Sequence, residues 1–334
     1  MRFKYQLSHI KLLPVKILYI LLSLVSKYLR QVCLPSLFQK IKFKFSATRL
    51  DKLQCILRAD IYQHVISVTY NVPELLKPEI MDFKQFKSNI LTPEDYVEEA
   101  NEIYEIGYPA DTCPLYIVIY DTLCHIYNEQ RDIIEKGADT ALLSVTLRQL
   151  PRLSALHLYF CENLAEESWV ESYLALDMTI KEKTYKHHVR VVSDALRAAK
   201  DRGSCLQAIH LSGLQLPFYR PWDVIPDTCS LVEALEGLLM HIPTVRLTEA
   251  GSVLELLSHA LLGLHQLELC RGTVRQASLQ DFLQMNIQSV KSLGFHDISL
   301  FDSDLLGQLV KLSPQLLCNM LATPATFMNH NLHL

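Results

Sequence analysis

Glycine is scarce, at 10 in 334 residues, too few to furnish phosphate-cradling loops or a glycine-dense β-barrel. The motifs of several common chemistries are missing as well. There is no G-x-G-x-x-G, Walker A loop, G-x-S-x-G elbow or H-E-x-x-H, so the usual nucleotide, hydrolase and zinc-protease readings have no anchor. No Asn-x-Ser/Thr sequon occurs, and no two of the nine cysteines stand at C-x-x-C spacing. An odd count scattered through a chain of this length argues against a disulfide framework. Flanked mostly by aliphatic residues, the thiols read as small reduced core hydrophobes. These absences predict a cytoplasmic or nuclear protein, not an enzyme, with no cofactor and no metal. Acid is missing only locally. Residues 1–50 hold ten Lys or Arg and no Asp or Glu, which leaves 22 basic against 36 acidic residues in the rest. A net charge of −4 therefore hides +10 in front of −14.

What is present can build a core: 49% of residues are hydrophobic and 20% charged, which excludes wholesale disorder. Residues 17–26 (ILYILLSLVS) form an uncharged run between Lys16 and Lys27. Ten residues rise only about 15 Å as a helix, whereas a bilayer core needs roughly 20 residues. A signal peptide would need a small-residue cleavage site, and no alanine precedes Ala47. A mitochondrial presequence would favour Arg and Ser over Lys and Leu, so membrane attachment or import through residues 1–30 is a minor alternative. The better account is a helix started by Leu13-Pro14, with Ile17, Leu18, Leu21, Leu22, Val25, Leu29, Val32 and Cys33 at helical spacing. A helix so apolar must be covered by its own domain or by a partner.

From about residue 90 onward helical and extended patterns alternate. Thr92 before Pro93, Glu94 and Asp95 predicts a helix start. Further helices are expected at 115–136 (ended by Gly137), 139–149, 189–201, 228–240, 251–262, 278–286 and 303–312. Six segments fit the strand template L-x-x-L-x-L with substitutes: Val65/Val68/Tyr70, Leu153/Leu156/Leu158, Leu206/Ile209/Leu211, Ile242/Val245/Leu247, Leu264/Leu267/Leu269 and Val290/Leu293/Phe295. Their starts are 88, 53, 36, 22 and 26 residues apart. Only the last two spacings fall inside the 20–29-residue leucine-rich period. The longer gaps predict insertions, including extra helices and a charged loop of Lys181, Glu182, Lys183, Lys186, His187 and His188. The expected architecture is α/β: an irregular leucine-rich-repeat-like solenoid of helix–strand units over residues 47–334, preceded by a short helical segment at 12–46.

Candidate chemistry is sparse. His187-His188 is the only adjacent histidine pair; consecutive side chains point to different helix faces, a poor bidentate metal site, so solvated histidines are expected. Glu98, Glu99, Glu102 and Glu105 read as a solvated acidic face, and Asp223, Asp227, His296, Asp297, Asp302 and Asp304 as turn, cap or contact residues. Trp222 beside Tyr219 and Arg220 has the composition of an interface anchor. Lys40, Lys42 and Lys44 alternate with Ile41, Phe43 and Phe45. That period of two predicts a strand with lysines outward rather than a nucleic-acid patch.

The stretch LPVKILYILLSLVSKYLRQVCLPS resembles the F-box. Leu13, Pro14, Ile17, Leu18, Leu21, Leu22, Ser23, Leu29, Cys33, Leu34 and Ser36 fall where that motif has its Leu-Pro opening, aliphatic run and Cys-Leu-Val-Ser-like helix. Lys16 stands where the family has Glu, Tyr28 replaces an Asp with the spacing one residue short, and the end of the box is shortened. FSATRLDKLQCILRADIYQHVISVTYNVPELL and LRQLPRLSALHLYFC are similar to segments of fungal F-box proteins with leucine-rich-repeat-like domains. The resemblance implies a non-enzymatic substrate adaptor of an SCF ubiquitin ligase. Leu13, Pro14, Ile17, Leu18, Leu21, Leu29 and Leu34 would dock on a Skp-type adaptor, and the solenoid would hold an unknown protein substrate, with Tyr219, Arg220 and Trp222 as candidate contacts.

Overall fold

The computed structural model describes residues 27–105, 114–161, 178–200, 206–214, 226–240 and 242–301. Seven strands in them form one sheet: β1 (Lys40–Lys44), β2 (Ser67–Pro73), β3 (Ala155–Cys161), β4 (Ala208–Ser212), β5 (Thr244–Thr248), β6 (Gln266–Arg275) and β7 (Ser292–Phe301). Every neighbouring pair is parallel, and the spatial order is the chain order. All six template segments supply strands, and the lysine-edged segment supplies a seventh. The end of the 12–46 segment is thus woven into the sheet as its first strand.

The register explains why the aliphatic positions matter. Ile41, Val68, Leu156, Ile209, Val245, Leu267 and Leu293 form one lateral row, and Phe43, Tyr70, Leu158, Leu211, Leu247, Leu269 and Phe295 the next. All are buried except the half-buried Phe295. Each such side chain contributes about 1.5–3 kcal/mol by leaving water. The template's first position, including Val65, Leu153, Leu264 and Val290, is buried just ahead of the strands. There the backbone continues the ladder: the amides of Ala155, Ala208, Thr244, Gln266 and Ser292 donate to the carbonyls of Ile66, Ser154, Gln207, Pro243 and His265.

Helices α1 (Lys27–Leu37), α2 (Ala47–Arg58), α3 (Pro93–Glu105), α4 (Tyr116–Glu135), α5 (Ala138–Gln149), α6 (Lys181–Lys200), α7 (Pro226–Leu239), α8 (Ser252–Leu256) and α9 (Gln276–Met285) accompany the strands. Leu50 and Leu53 of α2, Leu143 and Leu147 of α5, Val189 and Val192 of α6, Leu231 and Leu235 of α7, Val253 of α8 and Phe282 of α9 all enter one core with the strand rows. Parallel strands in chain order need crossovers of one hand, which puts the connecting helices on one side. The 88-residue spacing before β3 holds short helical turns over 78–90 together with α3 and α4, built on a second core of Leu76, Ile80, Phe86, Ile90, Leu91, Ile119, Leu123, Ile126 and Met178. Buried Gln130 fastens that insertion to the strand end: its Oε1 accepts from Leu76 N at 3.0 Å and its Nε2 donates to Glu74 O at 3.0 Å.

The helix starting at Pro93 has its expected cap: Thr92 Oγ1 accepts from Asp95 N at 3.1 Å, and Asp95 Oδ2 accepts from Thr92 N at 3.2 Å. Gly137 follows α4 in the left-handed region, φ +58°. Three expectations need correcting. The charged stretch 181–188 is not a loop but the first two turns of α6, because Thr184, Tyr185, His188 and Val189 form its buried stripe and the lysines its outer face. The helix expected over 251–262 stops at Leu256, where Leu257 leaves helical geometry and α8 has already placed Val253 and Leu254 in the core. Of the cysteines with described side chains, Cys33 and Cys270 are buried, Cys124 is intermediate and Cys55 is exposed on α2, so not every thiol is a core residue. The helix expected at 303–312 lies outside the described residues. Among the described residues no helix is long and apolar enough to cross a membrane.

Candidate functional site

Parallel sheets are normally covered on both faces and then read as continuous hydrophobic runs. Here the strands alternate, because among the described residues the helices pack on one face. The positions between the buried ones form three rows across the other face. The first runs Lys40, Ser67, Ala155, Ala208, Thr244, Gln266, Ser292; the second Lys42, Thr69, His157, His210, Arg246, Glu268, Gly294; the third Lys44, Asn71, Tyr159, Ser212, Thr248, Cys270, His296. Most are half-buried or exposed, with Ser67 and Cys270 the buried exceptions. Tyr159 stands out as a large aromatic that is 44% exposed.

The centre of this face is a polar cluster. His157 and His210 are lateral neighbours with ring centroids 5.0 Å apart and their Nδ1 atoms 3.3 Å apart. His210 Nε2 lies 2.7 Å from Thr248 Oγ1 and 3.4 Å from Ser212 Oγ. Beside them Arg246 Nε donates to Cys270 Sγ at 3.2 Å, and a guanidinium nitrogen lies 3.7 Å from Glu268 Oε2. Glu268 Oε1 accepts from Gln266 Nε2 at 2.8 Å. Partial burial, then the cationic neighbours Lys40, Arg246 and Lys42, depress the His157 pKa below its ordinary value. Partial burial, then the His157 ring and Arg246, hold His210 down to about 4.

Both imidazoles are accordingly neutral at pH 7 and offer one donor and one acceptor each. Ser212 beside His210 has two parts of a nucleophilic triad. The third is replaced by its opposite: among the described residues no carboxylate lies against either ring, and Arg246 and the lysines oppose an imidazolium. A histidine with a pKa near 4 is a weak general base. What the face offers is a set of positioned hydrogen-bonding groups, a cationic margin of Lys40, Lys42, Lys44 and Arg246, and an exposed tyrosine.

Leu29 and Leu34 are half-buried on α1, whose Cys33 is buried at 2% exposure. Leu13, Pro14, Ile17, Leu18 and Leu21, like Tyr219, Arg220 and Trp222, lie outside the described residues. Glu98 is exposed and Glu99 intermediate on α3. His296 is exposed in the third row, and β7 runs through it and Asp297 rather than ending there. The histidine pair is not a solvated one: His188 is fully buried and the His187 side chain only 21% exposed. Their helix turns the stripe of Tyr185, His188 and Val189 inward, so a charged neighbourhood in sequence was no guide to burial. The cluster of His157, His210, Arg246 and Tyr159 went unremarked at the sequence level. Its signal was the set of x positions inside the aligned L-x-x-L-x-L templates.

No protein-family model matches the chain, and no curated protein matches it either.

Proposed function

We propose that the chain is a non-enzymatic protein-interaction protein, an irregular leucine-rich-repeat-like solenoid that holds a protein on its bare sheet face. One observation carries this reading: among the described residues, seven parallel strands in chain order turn aliphatic and aromatic rows, all buried but the half-buried Phe295, to one face and mostly polar, mostly half-buried or exposed side chains in register to the other. Exposed tyrosine and arginine are the residue types that anchor interfaces, and Tyr159 and Arg246 stand two residue positions and two strands apart on that face. The excess of cations over Glu268 suits a partner segment rich in acids. The F-box resemblance of residues 12–46 makes the specific role a substrate adaptor of an SCF ubiquitin ligase, in the cytoplasm or nucleus, with a Skp-type adaptor as the second partner.

The test is affinity capture of the intact chain with identification of its partners. Tyr159→Ala combined with Arg246→Glu is expected to lose the substrate and keep the adaptor. Leu18→Asp with Leu21→Asp is expected to do the reverse. Retention of every partner by the first variant overturns the face; absence of the adaptor from the unmodified chain overturns the ligase role.

A second reading has support of its own. β1 pairs along its whole length with β2, and the helix before it buries Cys33. Solenoids need a terminal cap over their first unit, and residues 12–46 would be that cap instead of a docking module. In that case the Leu18/Leu21 double variant unfolds the protein, which a melting curve separates from uncoupling.

A further inference from the structure

Away from the open face, on the helical side of the sheet, two consecutive histidines of α6 meet an aspartate from the first turn of α5. We infer that Asp139, His187 and His188 form a binding site for a zinc ion that stitches α5 to α6. This is independent of the interaction reading above.

Each residue offers one ligand atom, and the three atoms lie within 4.8 Å of one another. An ion held at about 2.0–2.2 Å by each keeps such ligands roughly 3.3 Å apart in a tetrahedron. His187 Nε2 and Asp139 Oδ2 are already 2.8 Å apart. The second histidine carries the stronger sign. His188 is fully buried, its Nδ1 lies 3.1 Å from the Tyr70 hydroxyl, and its Nε2 has no hydrogen-bond partner among the described residues. Buried polar atoms in native interiors are almost always satisfied. An imidazole whose Nδ1 meets a hydroxyl oxygen while its buried Nε2 stays bare has the arrangement of a metal ligand with its outer support in place, Nδ1–H donating to Tyr70 once Nε2 holds the ion. Asp139 has such support too: its Oδ1 accepts from Thr140 N at 2.7 Å.

Two imidazole nitrogens and one carboxylate oxygen suit zinc, whereas magnesium and calcium take oxygen donors. His187, at the rim, gives the ion its way in, and water completes the fourth position. Binding replaces the hydrogen bond between His187 and Asp139 by two bonds to the ion, and the proton between them leaves to solvent.

The experiment uses the full chain, stripped with a chelator and titrated with Zn²⁺ against a chromophoric competitor. One ion per chain is expected, with cobalt giving the visible bands of a four-coordinate site. His187→Gln and Asp139→Asn should each weaken binding at least about tenfold, and Tyr70→Phe should weaken it less. His210→Ala, which breaks the close His157–His210 pair on the sheet face, should leave it unchanged. Circular dichroism of metal-free His187→Gln, a rim substitution, checks that the fold is kept. The inference is overturned if the stripped wild-type chain takes up no tightly held zinc, if His187→Gln binds as wild type does, or if His210→Ala abolishes uptake.

Discussion

Gly213→Ala and Gly137→Ala separate two costs that are usually measured together. Both glycines have positive φ, +69° and +58°, where a Cβ costs about 1–2 kcal/mol. Alanine also narrows the unfolded ensemble, which returns about 0.4–1 kcal/mol. At Gly137 a Cβ would meet nothing within 4 Å, so the net loss there is about 0–1.6 kcal/mol. At Gly213 the Cβ would sit 2.3 Å from the Phe160 carbonyl oxygen, in the strand against which β4 is hydrogen-bonded. The obstacle is backbone, so β3 and β4 must part by nearly 1 Å, a distortion of the kind that costs 1–3 kcal/mol in a packed interior. The expected losses are therefore about 1–4.6 kcal/mol for Gly213→Ala against about 0–1.6 kcal/mol for Gly137→Ala, a difference of about 1–3 kcal/mol set by the clash. Urea unfolding of each variant, with the slope checked for constancy, reads the difference. Equal losses would refute the close approach of β4 to β3 at this point.

Acidification should weaken the fold. His157, His188 and His210 all have depressed native pKa values, so between pH 6.5 and about 4 the unfolded chain binds more protons and stability falls as pH falls. After discounting His210 for solvent screening, it accounts for about 1–2 kcal/mol of that loss; unfolding midpoints flat between pH 7 and pH 4.5 would contradict it. Asn286, only 2% exposed, accepts from Leu262 N at 2.7 Å and donates to the Ala260 and Phe282 carbonyls, both at 2.9 Å. Asn286→Leu leaves the first two unpaired and should cost about 2–4 kcal/mol, with loss of hydrogen-exchange protection at the Leu262 amide as the local sign.

The strands were legible because their burial is one-sided. In Leu206/Ile209/Leu211 or Leu264/Leu267/Leu269 the apolar spacing is itself the record of a face turned inward. Helix extents were less legible. Residues 181–188 carry lysines at three positions, and only the sheet beneath decides that Tyr185 and His188 face it. The Asp139–His187 contact could not be read at all, since it joins residues 48 apart across a connection whose course the local sequence leaves open. Nor could the backbone device that recurs at the strand ends. Gly213, Glu249, Arg271 and Asp297 each follow a third-row residue, and all four have positive φ, +69°, +54°, +49° and +54°. Only the first is a glycine; at the others strand pairing holds a conformation that their side chains disfavour.

That shared bend bears on how much surface a partner can use. Six inter-strand spacings make the face about 29 Å wide. Three rows two residues apart make it about 13 Å tall. The product is nearly 400 Å², about half of the roughly 800 Å² that one partner contributes to a stable interface. On the proposed reading, a protein held there must therefore touch more than the rows. The next positions along β5, β6 and β7 are Glu249, Arg271 and Asp297, all exposed and carried beyond the third row by the same backbone turn. They give the margin an alternating charge where the rows themselves are cationic. Specificity is then expected to lie at that margin, with affinity supplied by Tyr159 and Arg246. Reversing Arg271 to Glu should change which partners are captured while leaving the unfolding midpoint within about 0.5 kcal/mol of wild type; unchanged partners would confine recognition to the rows.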